Sequence, residues 1–302
     1  MKTFEELGVS PEIRRAIEEM GYENPMPVQE EVIPYLLGEN NDVVALAQTG
    51  TGKTAAFGLP LLQQIDVKNR IPQSLILCPT RELCLQIAGD LNDYSKYIDG
   101  LKVLPVYGGS SIDSQIRSLK RGVHIIVATP GRLLDLIGQG FIHLDTLEYF
   151  VLDEADRMLD MGFYDDIMQV HKQLPPYCQT IMFSATMPPK IRTLAKTILK
   201  DPEEVKIAIS RPPESIMQTA YICYDPQKLK ILQDLFTQSR PQRVIIFSSS
   251  KMKVKELAST LKRLKFNVAA MHSDLEQSQR EEVMKEFKSG HIDILVATDV
   301  VA

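Results

Sequence analysis

Short runs of apolar and β-branched residues recur along the chain and alternate with segments of helical spacing. In the first two thirds these runs occupy 42–47, 74–78, 124–129, 149–153 and 180–184. Between two of them, Leu83, Ile87 and Leu91 recur at the spacing of one helix face. Apolar strands that alternate with helices are typical of a parallel sheet covered on both faces, which binds ligands at the carboxyl ends of its strands. We therefore predict an α/β fold.

This alternation stops near residues 207–217 and then starts again. The segment IAISRPPESIM contains paired prolines and polar residues that interrupt both periodicities, which predicts a linker. Apolar runs then return at 219–223, 243–248, 267–271 and 293–298. We predict a first α/β domain over 1–206, a linker over 207–217 and a second α/β domain over 218–302.

Composition narrows the class of protein. A chain of 302 residues exceeds the usual size of one domain, and 44% hydrophobic with 24% charged residues is typical of globular proteins. No segment approaches the roughly 18 apolar residues of a membrane helix, and the amino terminus lacks the apolar region of a secretory signal. We expect a cytoplasmic protein without membrane contact. A net charge of −5 gives no overall attraction to a polyanion, so any such contact must be local.

The cysteines and histidines indicate no zinc site. The cysteines lack CxxC spacing and fall in apolar patterns, which favours buried reduced thiols over disulfides or metal ligands: Cys78, Cys84, Cys178 and Cys223. The five histidines are scattered. Magnesium is the only metal that we expect.

A phosphate-binding loop is predicted at 47–54, where AQTGTGKT stands between an apolar run and a helical segment. The pattern matches a P-loop except that alanine stands at the place of the first glycine. Gly50 and Gly52 supply a permissive backbone, Lys53 can reach the phosphates and the Thr54 hydroxyl can ligate magnesium. The alternative is a glycine-rich turn with a solvated lysine.

A pair of carboxylates follows the apolar run at 149–153. Asp153 would hold magnesium through water, while Glu154 would orient or deprotonate an attacking water. With Lys53, they are the predicted catalytic residues, and Thr54 and Asp153 are the predicted metal ligands. Adjacent carboxylates on a surface turn are common, so the prediction depends on their combination with the phosphate loop.

The residues Asp153 to Asp156 spell DEAD, and the chain resembles the DEAD-box RNA helicases. Further motifs of that family occur in order: GYENPMPVQ at 21–29, AQTGTGKT at 47–54, PTREL at 79–83, glycines at 108–109, TPGR at 129–132, SAT at 184–186, FSSS at 247–250, QSQR at 277–280 and ATDVVA at 297–302. The likeness spans essentially the whole chain, and alanine at the start of the phosphate loop is usual in the family. It implies an RNA-dependent ATPase and helicase with two RecA-like lobes, the second of them incomplete here.

The resemblance also implies how ATP and magnesium bind. Gln29 would pair with the adenine edge, Tyr22 would stack on the ring and Asp299 would hold the ribose, while Phe4 is expected to pack the loop. The nucleotide-binding residues implied in this way are Tyr22, Gln29, Thr49, Gly50, Thr51, Gly52, Lys53, Thr54 and Asp299.

For RNA, the resemblance implies contacts to the sugar-phosphate backbone without base preference, on single strands and short duplexes. The residues are Pro79, Thr80, Arg81, Gly109, Thr129, Pro130, Gly131, Arg132 and Thr298. Arg81 has an alternative role as an ion-paired helix start beside Glu82. The basic segment 251–265 has leucines at helical spacing, which favours a core face with solvated lysines over an RNA-binding patch.

A further set of residues is implied to couple the nucleotide site to RNA opening: Asp156, Ser184, Ala185 and Thr186. Ser184 and Thr186 would act through hydrogen bonds to Asp156. The alternative is that these hydroxyls satisfy nearby backbone groups, which is frequent after a strand.

The resemblance implies that ATP and single-stranded RNA each favour closure of the two lobes, which bends the strand and opens a short duplex. Family members continue beyond ATDVVA with two arginines that reach the γ-phosphate, so we expect the chain as given, truncated in the second lobe, to hydrolyse ATP weakly or not at all. The alternatives are an ATP-gated RNA clamp without productive unwinding, and an ATPase that acts on DNA or on a protein.

Overall fold

The computed structural model describes residues 2–38, 41–207, 217, 219–238 and 242–298. The chain divides into two compact units, Met1–Pro213 and Glu214–Ala302. The predicted linker lies largely at 208–216, outside the described residues, so the bounds of the predicted domains stay a prediction.

The first unit is built on a sheet that has seven strands within the described residues. In chain order they are β1 (Val43–Leu46), β2 (Ser74–Leu77), β3 (Val103–Val106), β4 (Ile125–Ala128), β5 (Tyr149–Leu152), β6 (Gln179–Ser184) and β7 (Glu203–Lys206). Their spatial order is β3-β4-β2-β5-β6-β1-β7, and all neighbours pair in parallel. The parallel sheet predicted from the apolar runs is therefore confirmed.

Helices cover both faces of this sheet. They are α1 (Pro11–Glu19), α2 (Pro27–Gly38), α3 (Lys53–Gln64), α4 (Arg81–Tyr94), α5 (Ile112–Lys120), α6 (Pro130–Gly138), α7 (Ala155–Asp160), α8 (Tyr164–His171) and α9 (Pro189–Ile198). Successive strand residues point to opposite faces. Thus Ile76 belongs to one apolar cluster, while Leu75 and Leu77 belong to the other. Both clusters are buried, which explains why the central strands are mainly apolar.

The two edge strands were not predicted from the apolar pattern. β3 contains Pro105, which lacks an amide donor and is tolerated at a sheet edge. On the opposite edge, β7 exposes Glu203, Glu204 and Lys206, and only Val205 is buried. Charges and proline at sheet edges oppose pairing with other chains, and the same residues remove the apolar signal of a strand.

The second unit has a parallel sheet of three strands within its described residues. The strands are β8 (Val244–Phe247), β9 (Val268–Met271) and β10 (Ile294–Ala297), in the order β8-β10-β9, and the helices are α10 (Asp225–Gln238), α11 (Lys251–Arg263) and α12 (Gln277–Ser289). The predicted strand at 219–223 is wrong, because its described residues form no strand. Tyr221 and Ile222 are exposed there, and no described strand pairs with them.

The prediction for the basic segment 251–265 is confirmed in its main feature. Val254 and Leu261 of α11 are buried in the core of the second unit. The lysines on the other face are exposed, and Lys251 and Lys255 form ion pairs with Asp274. The core face and the ion pairs therefore account for this helix.

Two further sequence expectations bear on the class of protein. Three of the four cysteines are buried free thiols, as predicted: Cys78, Cys84 and Cys178. Cys223 is partly exposed. None of the helices that the structure describes has both the length and the apolarity needed to cross a bilayer. The cytoplasmic location stays a prediction.

A buried histidine makes the stability of the first unit depend on pH. The His124 Nδ1 atom accepts a hydrogen bond from the Lys102 amide at 3.0 Å, and Nε2 lies 3.1 Å from the Val67 carbonyl oxygen, so the neutral ring satisfies both contacts. Burial lowers the pKa of His124 below its usual value. The unfolded chain then binds the proton first as the pH falls, so we expect the free energy of unfolding to decrease below about pH 6.5.

Urea denaturation between pH 5 and pH 8 measures this decrease. His124→Gln should flatten the dependence, whereas His143→Gln, at an exposed histidine, should leave it as in the wild type. An equal pH dependence in His124→Gln and the wild type would refute the role of His124.

Candidate nucleotide and RNA site

The carboxyl ends of the strands in the first unit carry most of the predicted site residues. On one half of this edge, the neighbours β5, β6 and β1 lead into Asp153, Ser184 and the phosphate loop. On the other half, the neighbours β3, β4 and β2 lead into the three predicted RNA motifs at 108–109, 129–132 and 79–81. The parallel sheet therefore places the nucleotide residues and the RNA residues of this unit side by side along one edge.

The phosphate loop depends on two left-handed glycines. Gly50 and Gly52 have φ of 82° and 83°, values that side chains with a Cβ rarely adopt. A Cβ on Gly52 would also lie 2.4 Å from Nε2 of Gln29. The Thr51 hydroxyl donates a 2.7 Å hydrogen bond to the Gln48 carbonyl, which closes the turn. Helix α3 then begins at Lys53, so its first amides lie at the loop.

Lys53 and Asp153 form a buried ion pair at the centre of the site. Their side chains are 7% and 3% exposed, and Nζ lies 3.5 Å from Oδ1. Burial raises the pKa of the Asp153 carboxyl, and the Lys53 ammonium opposes this rise. Within the described part of the chain, the Lys53 ammonium has no hydrogen-bond partner. A buried cation that keeps its donors for a ligand suits phosphate oxygens.

Glu154 is held in an unusual backbone conformation next to this pair. Its φ of 52° and ψ of 51° are left-handed, and non-glycine residues in that region are uncommon. The Thr49 hydroxyl lies 3.4 Å from Oε1, and the Arg157 guanidinium lies 3.6 Å from Oε2. The carboxylate is thus fixed between the phosphate loop and helix α7. Because strained residues gather at functional sites, this observation supports a functional position for Glu154.

The four predicted coupling residues lie at the ends of β5 and β6. Asp156 Oδ2 accepts hydrogen bonds from the Thr186 amide at 3.0 Å and from its hydroxyl at 2.9 Å. Ser184 does not bond to Asp156 as predicted, because its hydroxyl donates to the Thr186 carbonyl at 2.8 Å. Ser184 therefore shapes the turn, as the alternative proposed, while Ala185 is exposed between them. The coupling role stays a prediction.

A cavity of about 450 Å³ extends from the phosphate loop to the predicted adenine residues. Gln29 lines it but is 1% exposed. Its amide donates to the Gly52 carbonyl at 3.1 Å and accepts from the Met26 amide at 2.9 Å. A primary amide can make more than these two bonds, so one donor and one lone pair remain for a base edge. The role of Gln29 in adenine recognition stays a prediction.

Thr54 and Asp153 both line this cavity, which suits the predicted magnesium. Hydroxyl and carboxylate oxygens are ligands that magnesium prefers, and it is commonly held by one or two carboxylates together with substrate phosphates. Among the described residues, no group of three or more His, Cys, Asp or Glu forms a metal site by itself. A site completed by phosphate oxygens needs no such group.

One predicted RNA residue, Arg132, contacts a buried glutamine. Gln115 of α5 donates to the Tyr107 carbonyl at 3.0 Å and to the Ser110 hydroxyl at 2.6 Å. Its Oε1 lies 3.3 Å from the Arg132 guanidinium, which also donates to the Ser110 carbonyl. Gln115 thereby joins the glycine loop after β3 to Arg132.

Other predicted RNA residues lie at the starts of the helices that follow β2 and β4. Thr80 caps α4 by accepting from the Leu83 amide at 3.3 Å, and a Cβ on Gly108 would lie 3.6 Å from the Arg81 guanidinium. Arg81 therefore lies beside the glycine loop. Pro79 and Thr129 precede the first turns of these helices, and Pro130 and Gly131 begin α6. Gly109, in the loop after β3, is exposed and has a φ of 85°.

Two predicted residues belong to the second unit. Thr298 is buried directly after β10, and its amide donates to the Met271 carbonyl at 3.2 Å. Asp299, predicted to hold the ribose, lies outside the described residues. Their ligand contacts stay predictions.

The family follows from comparison with known proteins. Residues 26–194 match the family described as DEAD/DEAH box helicase, and residues 227–302 match the helicase conserved C-terminal domain. The chain belongs to the DEAD/DEAH box helicase family. Its phosphate loop, DEAD residues and SAT residues all fall within the first match.

The curated relatives are bacterial RNA helicases. The chain is 44% identical to the DEAD-box ATP-dependent RNA helicase CshA of Geobacillus kaustophilus, over 100% of this chain and 64% of that protein. It is 43% identical to the ATP-dependent RNA helicase DeaD of Escherichia coli, over 99% of this chain and 48% of that protein. The chain thus spans about half to two thirds of the length of these relatives.

Solved structures agree in fold. Saccharomyces cerevisiae Dbp5 bound to RNA and ADP BeF3 is 30% identical, with a TM-score of 0.84 over 99% of this chain and 76% of that one. A DEAD box protein from Methanococcus jannaschii is 39% identical, with a TM-score of 0.66 over 98% of this chain and 80% of that one. The predicted RecA-like α/β architecture is therefore confirmed.

Several residues at the site were missed from the sequence. Gln115, Arg157 and Tyr94 were not predicted, because each acts through a contact formed by folding. A glutamine among the apolar positions of α5 is the one local signal, since Gln115 lies three residues after Ile112 and four before Leu119, on the side that packs against the core.

Removal of the cation from the buried ion pair should lower the stability of the first unit by an amount that depends on pH. Lys53→Met leaves the Asp153 carboxylate without its nearest cation, which should raise its pKa further. We expect a loss of about 1 to 3 kcal/mol in the stability of unliganded β1 and β5 at pH 8. The loss should shrink as the pH falls, because Asp153 can then bind a proton.

Amide hydrogen exchange of β1 and β5 measures this change in the first unit alone. Lys206→Met is the control, since Lys206 forms an exposed pair with Glu204 and should change stability by less than about 0.5 kcal/mol. A loss of the same size at pH 5 and pH 8 would show that the pair is not the cause.

Proposed function

We propose that this chain supplies the ATP-binding and RNA-binding machinery of an ATP-dependent RNA helicase. The observation that carries the proposal is the buried Lys53 ammonium, which keeps its donors beside Asp153 in a cavity of about 450 Å³. Membership of the DEAD/DEAH box family and the names of the curated relatives support the same function.

Each nucleotide residue has a distinct task in this proposal. The amides at the start of α3 and the Lys53 ammonium bind the phosphates, while Tyr22 and Gln29 receive the adenine. Thr54 and Asp153 hold magnesium, which when bound neutralises phosphate charge and orients the terminal phosphate. Glu154 positions the attacking water and accepts its proton, since its carboxylate is fixed between Thr49 and Arg157.

RNA binds along the other half of the same sheet edge. Arg81, Arg132 and the first amides of α4 and α6 are donors that suit phosphate oxygens, and such contacts carry no direct base preference. The proposed substrate is therefore single-stranded RNA, or a short duplex, without sequence preference. Because the chain is acidic overall, the affinity should depend on these few contacts and should weaken as salt increases.

Within the nucleotide half of the edge, Asp156 connects the residues after β5 to those after β6. It stands two residues after Glu154 and one residue before Arg157, and it holds Thr186 by two hydrogen bonds. A shift of Glu154 on nucleotide binding would therefore reach the end of β6. By linkage, any increase in RNA affinity caused by ATP must be matched by an equal increase in ATP affinity caused by RNA.

Glu154→Gln in the full-length protein tests the chemistry. The amide keeps the size of the side chain but cannot accept a proton, so RNA-stimulated ATP turnover should fall by about a hundredfold or more while ATP binding persists. Glu148→Gln is the matched control at an exposed position and should turn over ATP as the wild type does. Unchanged turnover in Glu154→Gln would refute the assignment of Glu154.

Two measurements test the proposed substrate: stimulation of ATP turnover by RNA compared with DNA, and separation of the strands of a short RNA duplex. RNA should stimulate turnover more than DNA of the same sequence, because the 2′-hydroxyl distinguishes the two. ATP-dependent separation of a short RNA duplex should accompany it. Equal stimulation by DNA would contradict RNA as the substrate, and stimulation without strand separation would indicate an RNA clamp.

A further inference from the structure

The nucleotide cavity has a wall that lies mostly outside the family motifs. Part of its lining comes from one face of helix α4, where four residues recur at spacings of three, four and four: Leu83, Gln86, Asp90 and Tyr94. This spacing places them in one row along the helix. The row ends at Tyr94, which contacts Tyr22, and Tyr22 lines the same cavity.

Tyr94 contacts Tyr22 in two ways. Their hydroxyl oxygens are 3.0 Å apart, so one donates a hydrogen bond to the other. Their rings also meet edge to face, with centroids 6.0 Å apart and planes at 81°. Phe4 adds a tilted contact to Tyr22 at 6.4 Å. The ring of Tyr22 is thus held by two aromatic residues, and one of them also bonds its hydroxyl.

Tyr94 is itself rigidly placed. It is 2% exposed and lies in the last turn of α4, in the apolar cluster that also buries α3. A Cβ on Gly58 of α3 would lie 2.8 Å from the Leu91 side chain and 3.7 Å from the Tyr94 ring. Glycine at this point therefore lets α4 approach α3 closely. Helix α3 starts at the phosphate loop. Because Tyr94 packs in the same cluster as α3 and contacts Tyr22, it holds Tyr22 in a fixed position relative to that loop.

We propose that Tyr94 is a positioning residue for the nucleotide base, which acts by holding the Tyr22 ring in its stacking orientation before ATP arrives. This inference rests on the proposed function, in which the base of ATP stacks on Tyr22. A ring fixed in advance loses less conformational freedom on binding, so the preorganised site binds the base more tightly. The phosphate loop does not depend on the hydroxyl pair.

Calorimetric titration of the chain with ATP and with inorganic tripolyphosphate, both with magnesium, tests the proposal. Tyr94→Phe removes the hydroxyl and keeps the buried ring. We expect ATP to bind about threefold to tenfold more weakly, which corresponds to one hydrogen bond, and tripolyphosphate to bind as in the wild type. Tyr22→Phe should cause the same loss, and the double variant should lose no more than either single variant.

Tyr149→Phe is the matched control. Its hydroxyl donates a 2.7 Å hydrogen bond to Gln64 of the same unit, so this variant loses a comparable bond away from the cavity and should bind ATP as the wild type does. Unchanged ATP affinity in Tyr94→Phe, or an equal loss for ATP and tripolyphosphate, would overturn the proposal. If the wild type bound ATP no more tightly than tripolyphosphate, the proposed base site would fail, and the role of Tyr94 would fail with it.

Discussion

The ion pair between Lys53 and Asp153 is the interaction on which the rest of the site depends. The two residues follow β1 and β5, which are not neighbours, because β6 runs between them. Neighbouring strands lie about 4.8 Å apart, so the phosphate loop must cross the end of β6 to bring the ammonium within 3.5 Å of the carboxylate. The loop that leads to Lys53 contains left-handed glycines at 50 and 52, and α3 starts directly after it. The ion pair thus joins the end of this loop to the residue after β5.

Helix α4 joins the two halves of the sheet edge. It begins at Arg81, beside the glycine loop of the RNA half, and ends at Tyr94, which holds Tyr22 in the nucleotide half. Within the nucleotide half, Asp156 and Thr186 form another connection, from the carboxylates after β5 to the end of β6. Neither connection requires a large motion, because each consists of packed or hydrogen-bonded groups within one unit.

Much of the site was predictable because its motifs follow apolar strands, and the carboxyl ends of parallel strands meet at one edge. The two edge strands were missed for a physical reason, since Pro105 and the charges of β7 protect the sheet and hide the apolar pattern of a strand. The strand expected at 219–223 is apolar, yet Ile222 is exposed and no described strand pairs with it. The bridge from Gln115 to Arg132 and the Tyr22 to Tyr94 contact depend on residues far apart in sequence. Local periodicity contains no information about such contacts.

We propose that one sheet edge of the first unit binds two ligands on its two halves. Backbone amide chemical shifts of the isotope-labelled chain, titrated separately with an ATP analogue and with a short single-stranded RNA, test this division. We expect the nucleotide to shift the amides at 49–54 and 153–154 first. RNA should shift those at 80–81, 109 and 131–132. If RNA shifted only the phosphate-loop amides, or left the residues after β2, β3 and β4 unchanged, the division of the edge into two binding surfaces would be contradicted.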